Sequence, residues 1–128
     1  MPPGVLATVT VEAMRRRWEP RLAREHDELV VALDRGAVVG LALHGPSGDE
    51  PPLPGTELCS LYVARHWYGR GLAAQLVRRA LGARPASLWV FEGNTRARAF
   101  YLREGWTATG DARIEPGTGL AEMRMVRD

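Results

Sequence analysis

A chain of 128 residues, 45% apolar and 25% charged, can bury one substantial core but not two, which predicts a single globular domain over residues 1–128. The longest apolar stretch, residues 37–43, contains Gly40 and is far too short to span a bilayer. The start has no charged segment leading into an apolar run, so a cytoplasmic protein is expected. A net charge of +2 is small, and the basic residues alternate with acids. Even Arg15-Arg16-Arg17 runs into Trp18-Glu19 and reads as a solvated helix face. No nucleic-acid partner is expected, although a mild positive field suits a small polyanion.

Some chemistries are excluded by what is missing. Cys59 is the single cysteine, so neither an internal disulfide nor a Cys-rich zinc site is available. His26, His44 and His66 show no metal-ligand spacing, and no metal is expected. All 17 basic residues are arginine, which removes a Walker-type phosphate lysine, Schiff-base chemistry and a lysine nucleophile.

In chain order, Thr10 can cap a helix over 11–24, with Met14, Trp18 and Leu22 on one face and Pro20 breaking it midway. Residues 28–33 and 38–44 are β-branched apolar runs joined through Asp34-Arg35-Gly36-Ala37, a hairpin signature. Residues 45–55 are a Pro- and Gly-rich loop. A third strand covers 56–64, and strict alternation puts Glu57, Cys59, Leu61 and Val63 on one face, with Leu58, Ser60 and Tyr62 on the other. A turn over 65–71 leads into a helix over 72–82 that buries Leu72, Leu76, Val77, Ala80 and Leu81, with Gly82 as its stop. Residues 87–91 form a short buried strand. Asn94 opens a helix to about Arg103, closed by Gly105. Strands over 106–114 and 120–126 flank a turn at 115–119. This order predicts an α/β domain centred on a strand–helix–strand crossover.

The turn Tyr68-Gly69-Arg70-Gly71-Leu72-Ala73 joins a strand to a helix. A helix start leaves about four N–H groups without intrahelical partners and carries roughly half a positive charge. Glycines let a ligand reach that backbone, so the turn can hold a diphosphate, with Arg70 adding a charged contact. Gly-x-Gly alone also describes a tight turn that binds nothing. A dinucleotide-binding reading is disfavoured: the third glycine is absent, and no acidic strand end follows at the right distance.

The run Leu61-Tyr62-Val63-Ala64-Arg65-His66-Trp67-Tyr68-Gly69-Arg70-Gly71-Leu72-Ala73 resembles the diphosphate-binding signature of the GNAT N-acetyltransferase superfamily. The run Asn94-Thr95-Arg96-Ala97-Arg98-Ala99-Phe100-Tyr101-Leu102-Arg103-Glu104-Gly105-Trp106 resembles its second motif, at the usual separation. The resemblance implies a GNAT-like α/β fold with a mixed central sheet and helices on both faces, and acetyl-CoA as acyl donor. It implies direct transfer to a primary amine in a ternary complex. Members of the family normally open with a strand and a helix before the segment matching Val11, and this unit reads as missing or rebuilt here. Relatives often form dimers, and a shortened sheet edge invites pairing, so the resemblance leaves a homodimer open.

Carried over residue by residue, the resemblance makes Tyr101 the general acid at the cofactor sulfur; packing against Phe100 is the plain alternative. Asn94 would hydrogen-bond the pantetheine arm or cap the helix. The backbone of Leu61, Tyr62 and Val63 would pair with pantetheine, and the Val63 N–H would meet the oxyanion. Tyr68, Gly69, Arg70, Gly71, Leu72 and Ala73 would hold the diphosphate. Glu57 is the candidate base, acting through water because a carboxylate of ordinary pKa near 4.3 deprotonates an ammonium poorly. His44 is a second base candidate, more simply read as structural. Cys59 could carry an acetyl group but reads better as a small hydrophobe. Trp67 and Trp89 read as packing, and Trp18 as a residue on the acceptor side. The rival reading is a non-catalytic acyl-CoA-binding module. The acceptor itself is not specified by any motif.

Overall fold

The computed structural model describes residues 5–10, 28–47 and 55–128. Seven strands form one sheet: β1 (Val5–Thr10), β2 (Glu28–Asp34), β3 (Ala37–Pro46), β4 (Thr56–Val63), β5 (Ala86–Phe91), β6 (Thr107–Ile114) and β7 (Ala121–Arg127). Their spatial order is β1-β2-β3-β4-β5-β7-β6. Helix α1 (Leu72–Leu81) joins β4 to β5, and helix α2 (Thr95–Arg103) joins β5 to β6. β4 and β5 run parallel, as a crossover helix allows, and the other described pairs are antiparallel. Among the described residues no helix is long and apolar enough to cross a membrane.

β1 corrects the strand half of the expectation that the opening strand–helix unit is missing or rebuilt. Its strand is present and pairs with β2 along its whole length, from Val5↔Leu33 to Thr10↔Glu28. The helix expected over 11–24, with its Pro20 break and Trp18, lies outside the described residues. At the β2–β3 hairpin, Arg35 and Gly36 both take positive φ, 53° and 81°. That is the two-residue geometry whose twist matches its flanking strands.

α1 lies where its apolar spacing predicts. Leu72, Leu76, Val77, Ala80 and Leu81 are buried in one cluster with Val30, Ala42, Leu58, Leu88 and Met125 from the sheet. Burying each large aliphatic side chain stabilises the fold by roughly 1.5–3 kcal/mol. The helix approaches closely because β3 offers Gly40 beneath it. A Cβ there would stand 2.9 Å from a Leu76 methyl and 3.1 Å from the Tyr62 carbonyl. The C-terminus is capped by Gly82, whose N–H donates to the Arg78 carbonyl at 2.8 Å. Arginines cover the last carbonyls: Arg84 Nε donates to Leu81 O at 3.0 Å, and Arg127 to Gly82 O at 3.0 Å. Tyr101 of α2 belongs to the same core cluster, beside Trp106.

The strict alternation expected for β4 fails. His44 pairs with Leu58 and Leu43 with Ser60, so Cys59 is an extra residue, a β-bulge. Before the bulge, Leu58 faces the α1 core. After it, Leu61 and Val63 pack against that core, while Cys59 joins Leu29, Val31 and Leu43 on the opposite face. Glu57, adjacent to Leu58, therefore falls on the face opposite Leu61 and Val63.

Candidate functional site

β4 and β5 pair only through Thr56↔Ala86, Glu57↔Ser87 and Leu58↔Leu88. Beyond Leu58 they separate, so the ends of the two strands open into a gap whose facing main-chain groups are not joined in a ladder. Both helices start at this open end. The result is a cleft of about 590 Å³ with Leu61 and Val63 on its floor. Gly69, Gly71, Leu72 and Ala73 form one wall, and Asn94, Arg96, Ala97, Phe100 and Tyr101 line the other.

The first wall is built by local backbone geometry. A single turn at Arg65–Trp67 delivers Trp67 into the core at 2% exposure. Gly69 and Gly71 then take φ of 75° and 78°, which only glycine adopts without strain. Gly71 is the residue before α1, and a Cβ on either glycine would meet nothing within 4 Å. Their role is thus backbone shape and open space rather than close packing. The first N–H groups of α1 face this space with the positive end of the helix.

The second wall follows from the cap of α2. Asn94 Oδ1 accepts from the Ala97 N–H at 3.2 Å. Helical spacing then carries Asn94, Ala97 and Tyr101 along one side of the helix. Tyr101 is 7% exposed, with its ring 5.3 Å from Phe100 and 5.7 Å from Trp106, both edge-on. Burial pushes its hydroxyl from 10.0 up to about 12, because ionisation would leave a charge without water. Tyr101 stays protonated across the neutral range and keeps a proton to donate.

The cleft therefore brings together Leu61, Val63, Tyr68, Gly69, Gly71, Leu72, Ala73, Asn94 and Tyr101. It does not bring in Tyr62, Arg70 or Glu57. Tyr62 is 52% exposed, and only its main chain lies along the gap. The Arg70 guanidinium lies 4.0 Å from the centre of the Trp67 ring instead of lining the cleft. Glu57 sits just before the gap, on the other face of the sheet. His44 is buried on β3 with Nε2 3.9 Å from a Glu28 carboxylate oxygen, away from the cleft. Cys59 directs its thiol to the Glu57 carbonyl at 3.6 Å and packs with apolar neighbours. Trp89 is held between the guanidinium groups of Arg113 and Arg124, at 4.2 and 4.7 Å.

Arg96, Ala97 and Phe100 were not singled out from the sequence, although the first turns of a capped helix share a side with the cap. That Asn94, Ala97 and Tyr101 fall on one face could have marked Ala97. The inward lean of Arg96 depends on Tyr68, across the cleft, and has no local signal.

A family model described as Acetyltransferase (GNAT) family matches residues 6–106. A probable N-acetyltransferase of Mycobacterium tuberculosis is 30% identical over 83 residues, which cover 62% of this chain and 47% of that protein. The chain thus matches about half the length of that relative. An IAA acetyltransferase from Bacillus cereus superposes with a TM-score of 0.71 at 17% identity, covering 96% of this chain and 97% of its own. A Bacillus anthracis protein described as a putative streptothricin acetyltransferase, solved with acetyl coenzyme A, superposes with a TM-score of 0.63 at 12% identity, over 81% and 63% of the two chains. These structural likenesses establish the α/β fold, and the family match extends through both walls of the cleft. The chain belongs to the acetyltransferase (GNAT) family.

Proposed function

We propose that this protein is an acyltransferase that binds acetyl-CoA in the cleft and transfers its acetyl group directly to a primary amine in a ternary complex. The observation that carries the reading is the cleft itself: an amide-rich helix start at one wall and a buried tyrosine hydroxyl at the other, across a gap between parallel strands. Acetyl coenzyme A bound to the Bacillus anthracis neighbour supports the same donor here. The diphosphate would rest on the amides of Gly69 to Ala73. The pantetheine arm would run along the main chain of Leu61, Tyr62 and Val63, past Asn94.

Three chemical needs follow. The oxyanion of the tetrahedral intermediate needs a fixed donor, for which the Val63 N–H is the candidate. The departing thiolate needs a hydrogen bond. Tyr101 would provide it, stabilising the charge by donation, since its pKa of about 12 lies above that of a thiol, about 8.5. The amine must lose a proton, although a lysine-like amine holds it to about pH 10.4. Glu57 would take it through water. The bulge gives this assignment a geometry: donor and acceptor would meet through the gap from opposite faces of the sheet. A cysteine-bound acetyl intermediate is not needed.

The test is thiol release from acetyl-CoA across a panel of amines, alongside calorimetry with CoA. The expected result is saturable CoA binding and amine-dependent release, with Tyr101→Phe binding CoA normally but turning over about 10²-fold more slowly. CoA binding with no release for any amine would leave a binding module. No CoA binding at all would end the reading.

A further inference from the structure

The wall formed by α2 carries a cation to which the resemblance assigns no role. Arg96, in the first turn of α2, lines the cleft, and its guanidinium lies 4.0 Å from the centre of the Tyr68 ring. Tyr68 is the residue immediately before Gly69 and lines the cleft from the other side. This contact therefore bridges the two walls at the glycine turn. We propose that Arg96 is a phosphate-binding residue of the donor site, positioned over the turn by its stack on Tyr68. The proposal rests on acetyl-CoA being the donor.

Three observations carry it. First, the turn offers main-chain donors only. The one basic side chain within it, Arg70, stacks on Trp67 and does not line the cleft, whereas Arg96 on the facing wall does. Second, Arg96 has no carboxylate partner among the described residues, whereas Arg113 and Arg124 are paired with Glu122 and Asp111 at 2.8 and 3.4 Å. Third, contact with a ring face occupies the cation's flat side and leaves its edge N–H donors free for two-point contact with a phosphoryl group. The stack also limits the rotamers of a long side chain before any ligand arrives, which lowers the ordering cost on binding.

CoA carries phosphate at two places, a diphosphate and a ribose 3′-phosphate, and the same guanidinium chemistry fits both. Calorimetry with CoA, dephospho-CoA and acetyl-pantetheine separates them, using wild type, Arg96→Ala, Tyr68→Leu and the double variant. Arg96→Ala should weaken CoA about tenfold and leave the Michaelis constant for phosphate-free acetyl-pantetheine unchanged. A loss confined to CoA assigns the 3′-phosphate; an equal loss with dephospho-CoA assigns the diphosphate. Tyr68→Leu should cost about threefold alone and nothing further once Arg96 is gone. Unchanged CoA affinity in Arg96→Ala overturns the proposal, and so does an equal loss with acetyl-pantetheine, which would mark a structural role. Additive losses in the double variant overturn the positioning by Tyr68. Failure of wild type to bind CoA sinks the donor assignment instead, so the two ideas fail separately.

Discussion

The two walls of the cleft are made differently. α1 buries Leu72, Leu76, Val77, Ala80 and Leu81 and sits directly on Gly40 of the sheet. α2 buries Tyr101 alone, and Leu102 beside it is 60% exposed. A ligand resting on α1 meets main chain whose position is set by the whole core. A ligand touching α2 meets side chains held by one aromatic anchor and an Asn94 cap. The first wall should bind by shape, and the second should tune chemistry and affinity.

The sharpest way to break this contrast is to remove an anchor from α1. Leu76→Ala should cost about 2–5 kcal/mol, the range for emptying a fully buried leucine site, read as a lower denaturant midpoint at unchanged slope. A cost under about 1 kcal/mol would mean that α1 is not the fixed wall. Next comes Gly71→Val. Positive φ disfavours a β-branched residue by about 1–3 kcal/mol, and its side chain would enter the open space over the turn. CoA affinity should fall at least tenfold, by calorimetry, in a protein that still folds.

On the other wall, Tyr101 supplies a proton-linked test. The unfolded tyrosine ionises near 10.0 and the folded one near 12. Between these values the unfolded state binds fewer protons, so folding stability should drop as pH rises through that window, and be untouched by this group below it. Ultraviolet titration should show a late tyrosine ionisation near pH 12, and Tyr101→Phe should abolish that step. The smallest effect is expected at Leu102→Ala, on the exposed side of α2, with less than about 0.5 kcal/mol change in stability.

The contrast also explains what could be read from the chain alone. α1 was legible because its contacts repeat with helical period, and the glycine turn because positive φ needs a particular residue. Asn94 was legible as a cap for the same reason, a local hydrogen bond. β1 was overlooked although Val5 to Thr10 is rich in β-branched residues; a segment so short pairs only because β2 presents a free edge. The bulge at Cys59 was invisible. No glycine marks it, and nothing in Leu58-Cys59-Ser60 says that Leu43 and His44 will skip a residue. That omission put Glu57 on the wrong side. The turning of Arg70 onto Trp67 and of Arg96 onto Tyr68 depends on neighbours set by the fold.

The short β4–β5 ladder has one more consequence. Where two strands part, their peptide groups become a recognition surface that belongs to no side chain. Point substitution cannot delete such a surface; it can only be bent, blocked or pulled shut. Drift in the flanking residues should alter which acyl partner is preferred long before it erases the capacity to hold one. A covalent tie drawing the two strands together past Leu58 should silence the protein while making it harder to unfold.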